Sequence, residues 1–153
     1  MDPPKGVLKI AGQRLPWGSK ITYLGLTYDM RLVWHNQMAN TIAKARFLLH
    51  ACYSLLSGKL CLRTKATVYK QMIHPVLTYG SPAWSIASTS QKQKLAVFQN
   101  KILRIVTKAP YFVRNTALRR DLDTEDLLDY IRNLTSGLLD RIRQGLPHQE
   151  VQL

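Results

Sequence analysis

The chain opens with two short runs in which β-branched and aromatic residues concentrate, "VLKI" at residues 7–10 and "ITYLGLTY" at residues 21–28. Between them, "AGQRLPWGSK" is rich in turn formers. The pattern predicts a two-stranded hairpin with a long connection, marginal alone and therefore part of a larger sheet.

From residue 34 the period changes. Met38, Ile42, Ala45, Leu49, Cys52 and Leu56 advance by alternating fours and threes, the spacing of one helical face. Lys44 and Arg46 fall off that line, toward solvent or a ligand, and Gly58 supplies a stop. A second helix is predicted from residue 62 or 63 to residue 79, with Val68, Met72, Val76 and Tyr79 on its apolar line. Pro75 should kink or divide it, because proline lacks a backbone donor and its ring clashes with the preceding turn. Gly80, Ser81 and Pro82 then end it.

The third helix, residues 89–108, is the clearest. Leu95, Phe98, Ile102, Ile105 and Ala109 form its apolar face, broadened by Val106. Lys94, Lys101 and Lys108 recur at sevens with Arg104 among them, a cationic stripe of about 21 Å, long enough to follow several phosphates of a strand. After Pro110 the composition shifts. In "DLDTEDLLDY" the alternation of Asp121, Asp123 and Glu125 resembles a calcium loop, but Asp126 stands where the loop needs Gly and Arg132 where it needs Glu. An N-cap at Asp123 or Thr124, with Glu125 and Asp126 in the first turn, accounts for the same residues. That helix is expected to reach Arg143, with Gly145 and Pro147 closing it. The fold class is mainly α: an N-terminal β-hairpin followed by a bundle of about four to five helices.

Hydrophobic residues make up 46% of the 153 and charged residues 20%, which excludes wholesale disorder. No apolar run approaches the length of a membrane span, and the N-terminus lacks a secretory h-region, so a cytoplasmic or nuclear setting is expected. Cys52 and Cys61 form neither a disulfide framework nor a zinc pattern. Charge changes the picture more. Residues 1–110 hold 16 of the 22 Lys and Arg against Asp2 and Asp29 alone, whereas residues 111–153 hold six basic and seven acidic side chains. No Asp or Glu occurs in residues 30–120. Such a segment repels itself unless a polyanion lies near, which points to nucleic acid.

Candidate chemistry is sparse. Two-metal catalysis needs clustered carboxylates, which two acids in the first 110 residues hardly provide, and no GxSxG, HExxH or GxxxxGK[ST] motif occurs. "IHPVLTYGSPAW" at residues 73–84 sets His74 near Ser81, yet no acid follows to orient the imidazole. Its residues suit a structural corner: Pro75 kinks, Gly80 permits positive φ, Pro82 stops the helix, and Tyr79 and Trp84 fill the space.

Four segments carry a resemblance: "KITYLGLTYDMRLVW", "KARFLLHACYSL", "TVYKQMIHPVLTYGSPAW" and "LAVFQNKILRIVTKAPYFVRNTALRRDL". In order and spacing they resemble the reverse transcriptases (RNA-directed DNA polymerases) of jockey-like non-LTR retrotransposons, over residues 10–131. The resemblance implies that residues 1–30 hold a hairpin like the primer grip, to which Tyr23, Leu24 and Gly25 belong. It implies a thumb-like helical domain over residues 31–109 lying against template and primer, then a C-terminal helical region over 110–144 and a disordered tail over 145–153. Lys44, Arg46, Lys94, Lys101, Arg104 and Lys108 become candidate contacts to RNA or RNA/DNA duplex, largely independent of sequence. The palm motif [FY]xDD, whose aspartates hold magnesium in that family, has no counterpart here, and Gln37 stands where relatives often carry His. The expectation is a piece without catalytic residues, metal or other cofactor, inactive alone, whose partners are nucleic acid and possibly the palm and fingers.

Overall fold

The computed structural model describes residues 9–14 and 18–145. The chain is mainly helical, with two small antiparallel hairpins before the helices. In the first, β1 (Lys9–Ile10) pairs with β2 (Gln13–Arg14); in the second, β3 (Lys20–Tyr23) pairs with β4 (Leu26–Asp29). The single long-connection hairpin is therefore corrected to two tight ones. Each turns on two left-handed residues, Ala11–Gly12 and Leu24–Gly25, the backbone of a two-residue turn matched to strand twist. Ala-Gly and Leu-Gly are weak forms of that signal, since a non-glycine residue at positive φ is disfavoured.

Asp29 builds the passage into the helices. Its carboxylate accepts the backbone N–H groups of Val33 (2.8 Å) and Trp34 (3.1 Å), fixing a turn in which Leu32 and Trp34 are left-handed. Helix α1 (His35–Ala51) follows, and α2 (Tyr53–Ser57) continues it after a break at Cys52 (φ −95°, ψ 5°). The predicted face is right except that Ile42 is only partly buried, but the helix is divided rather than continuous.

The second predicted helix is three pieces: α3 (Leu62–Val68), a π-helical stretch (Tyr69–Ile73) and α4 (His74–Thr78). The widened turn precedes Pro75, whose missing donor and ring a regular helix would not accommodate. The buried line is Ala66, Tyr69, Ile73 and Leu77, not the predicted one: Met72 and Tyr79 are exposed, Val68 and Val76 partly buried. Pro82 is also corrected, from a stop to a start, since it lies in the first turn of α5 (Ser81–Trp84); proline suits that position because the donor there has no intrahelical partner.

Helix α6 (Thr89–Thr107) buries Leu95, Phe98, Ile102 and Val106 as predicted, together with Ala96, Gln99 and Leu103. Beyond it come α7 (Asn115–Asp121) and α8 (Leu127–Gly145). Asp126, not Asp123 or Thr124, caps α8: its carboxylate accepts the Leu128 N–H at 2.9 Å and pairs with Arg119. Leu127 and Ile131 anchor α8 in the core, while Leu139 and Ile142 further along remain about half exposed. One core joins α1, the π stretch, Trp84, α6, Leu118, Leu122 and the start of α8. Residues 146–153, where a tail is expected, lie outside the described residues.

Candidate nucleic-acid interface

Helix α1 divides the basic residues between two sides. Lys44 edges a cleft formed with the β3–β4 turn and α4, lined by Leu24, Gly25, Thr41, Pro75 and Tyr79. Arg46 faces the other way, into a groove between α1 and α6 that it lines with His35, Ile42, Gln91 and Lys94. At the groove's end the Gln91 amide and His35 Nδ1 are 3.2 Å apart. One turn pair along α6, Lys101 edges a depression with Val97, Arg104 and Asn115. Lys44, Arg46, Lys94, Lys101 and Lys108 are all exposed, and none has an ion-pair partner among the described residues. Four of the acids after residue 120 are engaged: Asp123 with Lys70, Asp126 with Arg119, Asp121 with Arg120 and Asp129 with Arg132. The exposed cations are therefore the ones the acid-free span leaves without counter-charges.

Two predicted members of the stripe are placed differently. Arg104 turns inward, its guanidinium donating to the carbonyls of Pro110 and Val113 (both 2.9 Å) and to Asn115 Oδ1 (2.8 Å). Lys108 lies just past the helix as its left-handed C-cap (φ 55°). The open cations of α6 are thus Lys94 and Lys101, with Lys108 beyond its end.

The hairpin turn is held from the corner. Tyr79 does not fill the corner but stands half-exposed and donates its hydroxyl to the Leu24 carbonyl at 2.8 Å. Leu24 has φ 49° and Gly25 φ 75°, so the tether holds the turn at its strained residue. Tyr23 and Leu24 are largely exposed. Trp84 is fully buried and donates to the Tyr79 carbonyl at 2.9 Å. Gly80 has φ 62°, and a Cβ there would come within 2.8 Å of the Leu26 side chain. Pro75, Tyr79, Gly80, Pro82 and Trp84 therefore form one structural corner, and it bears on the turn of the hairpin.

Sequence reasoning missed two glutamines. Gln37 accepts the Thr27 N–H at 2.9 Å and donates to Thr41 at 3.2 Å, closing the outer edge of β4 against α1. Gln99, fully buried, donates to the Tyr69 hydroxyl and the Glu125 carbonyl and accepts the Leu127 N–H, all at 3.1 Å. Burial pushes the Tyr69 phenol up to about 12, against a smaller opposing effect of the Gln99 hydrogen bond. For Gln99 the signal was present, because it interrupts the apolar line Leu95–Gln99–Leu103 at i+4 spacing and a polar group so buried needs partners; Gln37, followed at i+4 by Thr41, carried no such mark. Cys61 is exposed, and the Thr64 hydroxyl beside it, with the neighbouring backbone, holds its thiol below the usual range.

Magnesium, which the resemblance associates with the intact polymerases, does not fit these residues. Among the described residues no three His, Cys, Asp or Glu side chains gather as a metal site requires, and both oxygens of Asp29 already accept backbone donors.

The chain is 32% identical over 146 residues to a probable RNA-directed DNA polymerase from transposon BS of Drosophila melanogaster. It is a homologue of transposon-encoded polymerases. The enzyme from transposon X-element of the same fly is 34% identical over 132 residues, and the RNA-directed DNA polymerase from mobile element jockey 30% over 122. These alignments take in 94%, 85% and 78% of this chain but 16%, 14% and 13% of the three polymerases, so the chain spans about a sixth of its relatives or less. No protein-family model matches it, and neither does any solved structure. No helix among the described residues is long and apolar enough to cross a membrane.

Proposed function

We propose that this chain is the nucleic-acid-gripping helical part of a non-LTR retrotransposon RNA-directed DNA polymerase. It holds RNA or an RNA/DNA duplex by the phosphates, with little sequence preference, and contributes no catalytic group. The observation that carries this reading is the groove between α1 and α6, where Arg46 and Lys94 meet with no described carboxylate to pair them. Lys101 extends the same face by about 10 Å along α6 at 1.5 Å per residue, and Lys44 supplies a cation beside the hairpin turn. Tyr23, Leu24 and Gly25 are assigned to the primer terminus, an assignment supported by the strained turn and its tether to Tyr79. The thumb-like limits at residues 31–109 belong to the same proposal.

Fluorescence anisotropy on an RNA/DNA duplex tests it. Affinity should fall steeply with salt, and each phosphate contact removed should lower the log–log slope by about 0.9. Arg46→Glu combined with Lys94→Glu should weaken binding to all sequences alike; unaltered binding by that variant would sink the assignment. Arg104 is unsuitable for this test, because its guanidinium holds the fold.

A second reading, a helical module for protein contacts, is favoured by one observation. Leu138, Leu139 and Ile142 on α8 and Ile21 and Tyr23 on β3 leave apolar surface uncovered, of the kind that packs against another protein part such as a palm. Size-exclusion chromatography at low and high salt, with and without duplex, separates the two. Self-association without duplex binding favours the second.

A further inference from the structure

Past the end of α6, the chain makes a tight turn closed by the Val113 N–H donating to the Pro110 carbonyl at 3.2 Å. Its two central residues are Tyr111 and Phe112, 90% and 72% exposed. Turn chemistry favours small or polar residues at such positions, so two large aromatic rings serve neither the turn nor the core. The backbone of the turn is nonetheless held in place. Arg104 donates to the carbonyls at both ends of the turn, Pro110 and Val113, and to Asn115 just beyond it. The rings stand edge to face, centroids 5.7 Å apart and planes at 81°, so one face of at least one ring stays open. Lys108 and Arg114 flank the turn and are exposed, and Arg104 also lines the depression edged by Lys101.

An exposed aromatic pair on a pinned turn, among cations without described acidic partners, matches what an unpaired nucleotide requires: a ring to stack on and a positive charge for its phosphate. We propose that Tyr111 and Phe112 form a stacking platform for an unpaired base where a strand leaves the duplex held along α6. The charge complementarity selects this occupant over an apolar protein segment, which would gain nothing from the flanking Lys108 and Arg114. The proposal rests on the reading that the basic face holds nucleic acid, and it adds a preference for single-stranded ends.

The test uses the full chain and three labelled ligands: a blunt RNA/DNA duplex, the same duplex with a single-stranded overhang of about four nucleotides, and that overhang made abasic. The wild type should bind the overhang duplex about tenfold or more tighter than the blunt one, and the abasic overhang should lose most of that gain. Tyr111→Ala with Phe112→Ala should bind the blunt duplex as the wild type does and discriminate no further, while Tyr111→Trp should keep the preference. Blunt binding retained with no preference for the overhang overturns the platform alone. Failure to bind any of the three overturns the platform and the nucleic-acid reading together. Self-association that the double alanine variant abolishes, with overhang binding unchanged, assigns the rings to protein contact and also overturns it.

Discussion

A guanidinium holding two main-chain carbonyls and a side-chain amide is a structural part, and Arg104 should behave as one. Arg104→Ala is expected to destabilise the chain by about 1.5–3 kcal/mol, the range for charge-assisted hydrogen bonds, whereas Lys101→Ala should stay within about 0.5 kcal/mol; equal costs in urea titrations would refute the distinction. The sequence could not separate the two, because Arg104's acceptors are brought to it only when the chain folds back at Pro110. Gly80→Ala combines a positive φ with a clash against Leu26 and should cost more than about 1 kcal/mol, read in the same titration. His74 sits edge-on between Tyr69 and Tyr130, ring centroids 5.9 and 4.7 Å away. Burial, with a smaller push from Lys70, lowers its pKa against an opposing pull from Glu125. The folded chain then takes up this proton less readily than the unfolded chain, so stability should fall as pH drops below about 6.5. His74→Phe should flatten that limb of the stability profile. At the alkaline end the sign is the reverse in pH but the same in logic: Tyr69 ionises near 10 unfolded and near about 12 folded, and stability should decline across that interval.

Among the elements, α1 and α6 were legible because their apolar lines run long enough for period to decide type, and α8 through the acids at its start. What failed was phase. Between residues 62 and 79 two adjacent lines run at fours, Val68–Met72–Val76 and Tyr69–Ile73–Leu77, and periodicity alone does not choose between them. The π stretch, which widens the turn before Pro75, belongs to neither regular period. The basic face was legible as charge but not as geometry, since which cations share a groove depends on the packing of α1 against α6. Along α8 the packing is uneven, and this yields a contrast within one helix. Ile131→Ala should cost about 2–5 kcal/mol, while Leu139→Gln and Ile142→Gln, at half-exposed sites, should each stay within about 0.5 kcal/mol. Thermal denaturation followed by circular dichroism checks it, and a large loss from the outer pair would mean that this half of α8 packs against something in solution.

For the whole molecule the decisive asymmetry is electrostatic. Sixteen cations precede residue 111 with only two acids among them, while four of the acids that follow, Asp121, Asp123, Asp126 and Asp129, are drawn into ion pairs. The acid-free span of residues 30–120 also bears on how the protein must be handled. Self-repulsion within it makes any polyanion a folding ligand, because whatever binds the folded chain more tightly raises its melting temperature by mass action. On the proposed reading, heparin and bulk cellular RNA should therefore lift Tm as much as an RNA/DNA duplex would. Preparations not stripped at high salt should carry nucleic acid through purification, visible as excess absorbance at the nucleotide maximum. A rise in Tm on adding a duplex will report charge and not recognition, and only competition against heparin will tell a grip from an ion atmosphere.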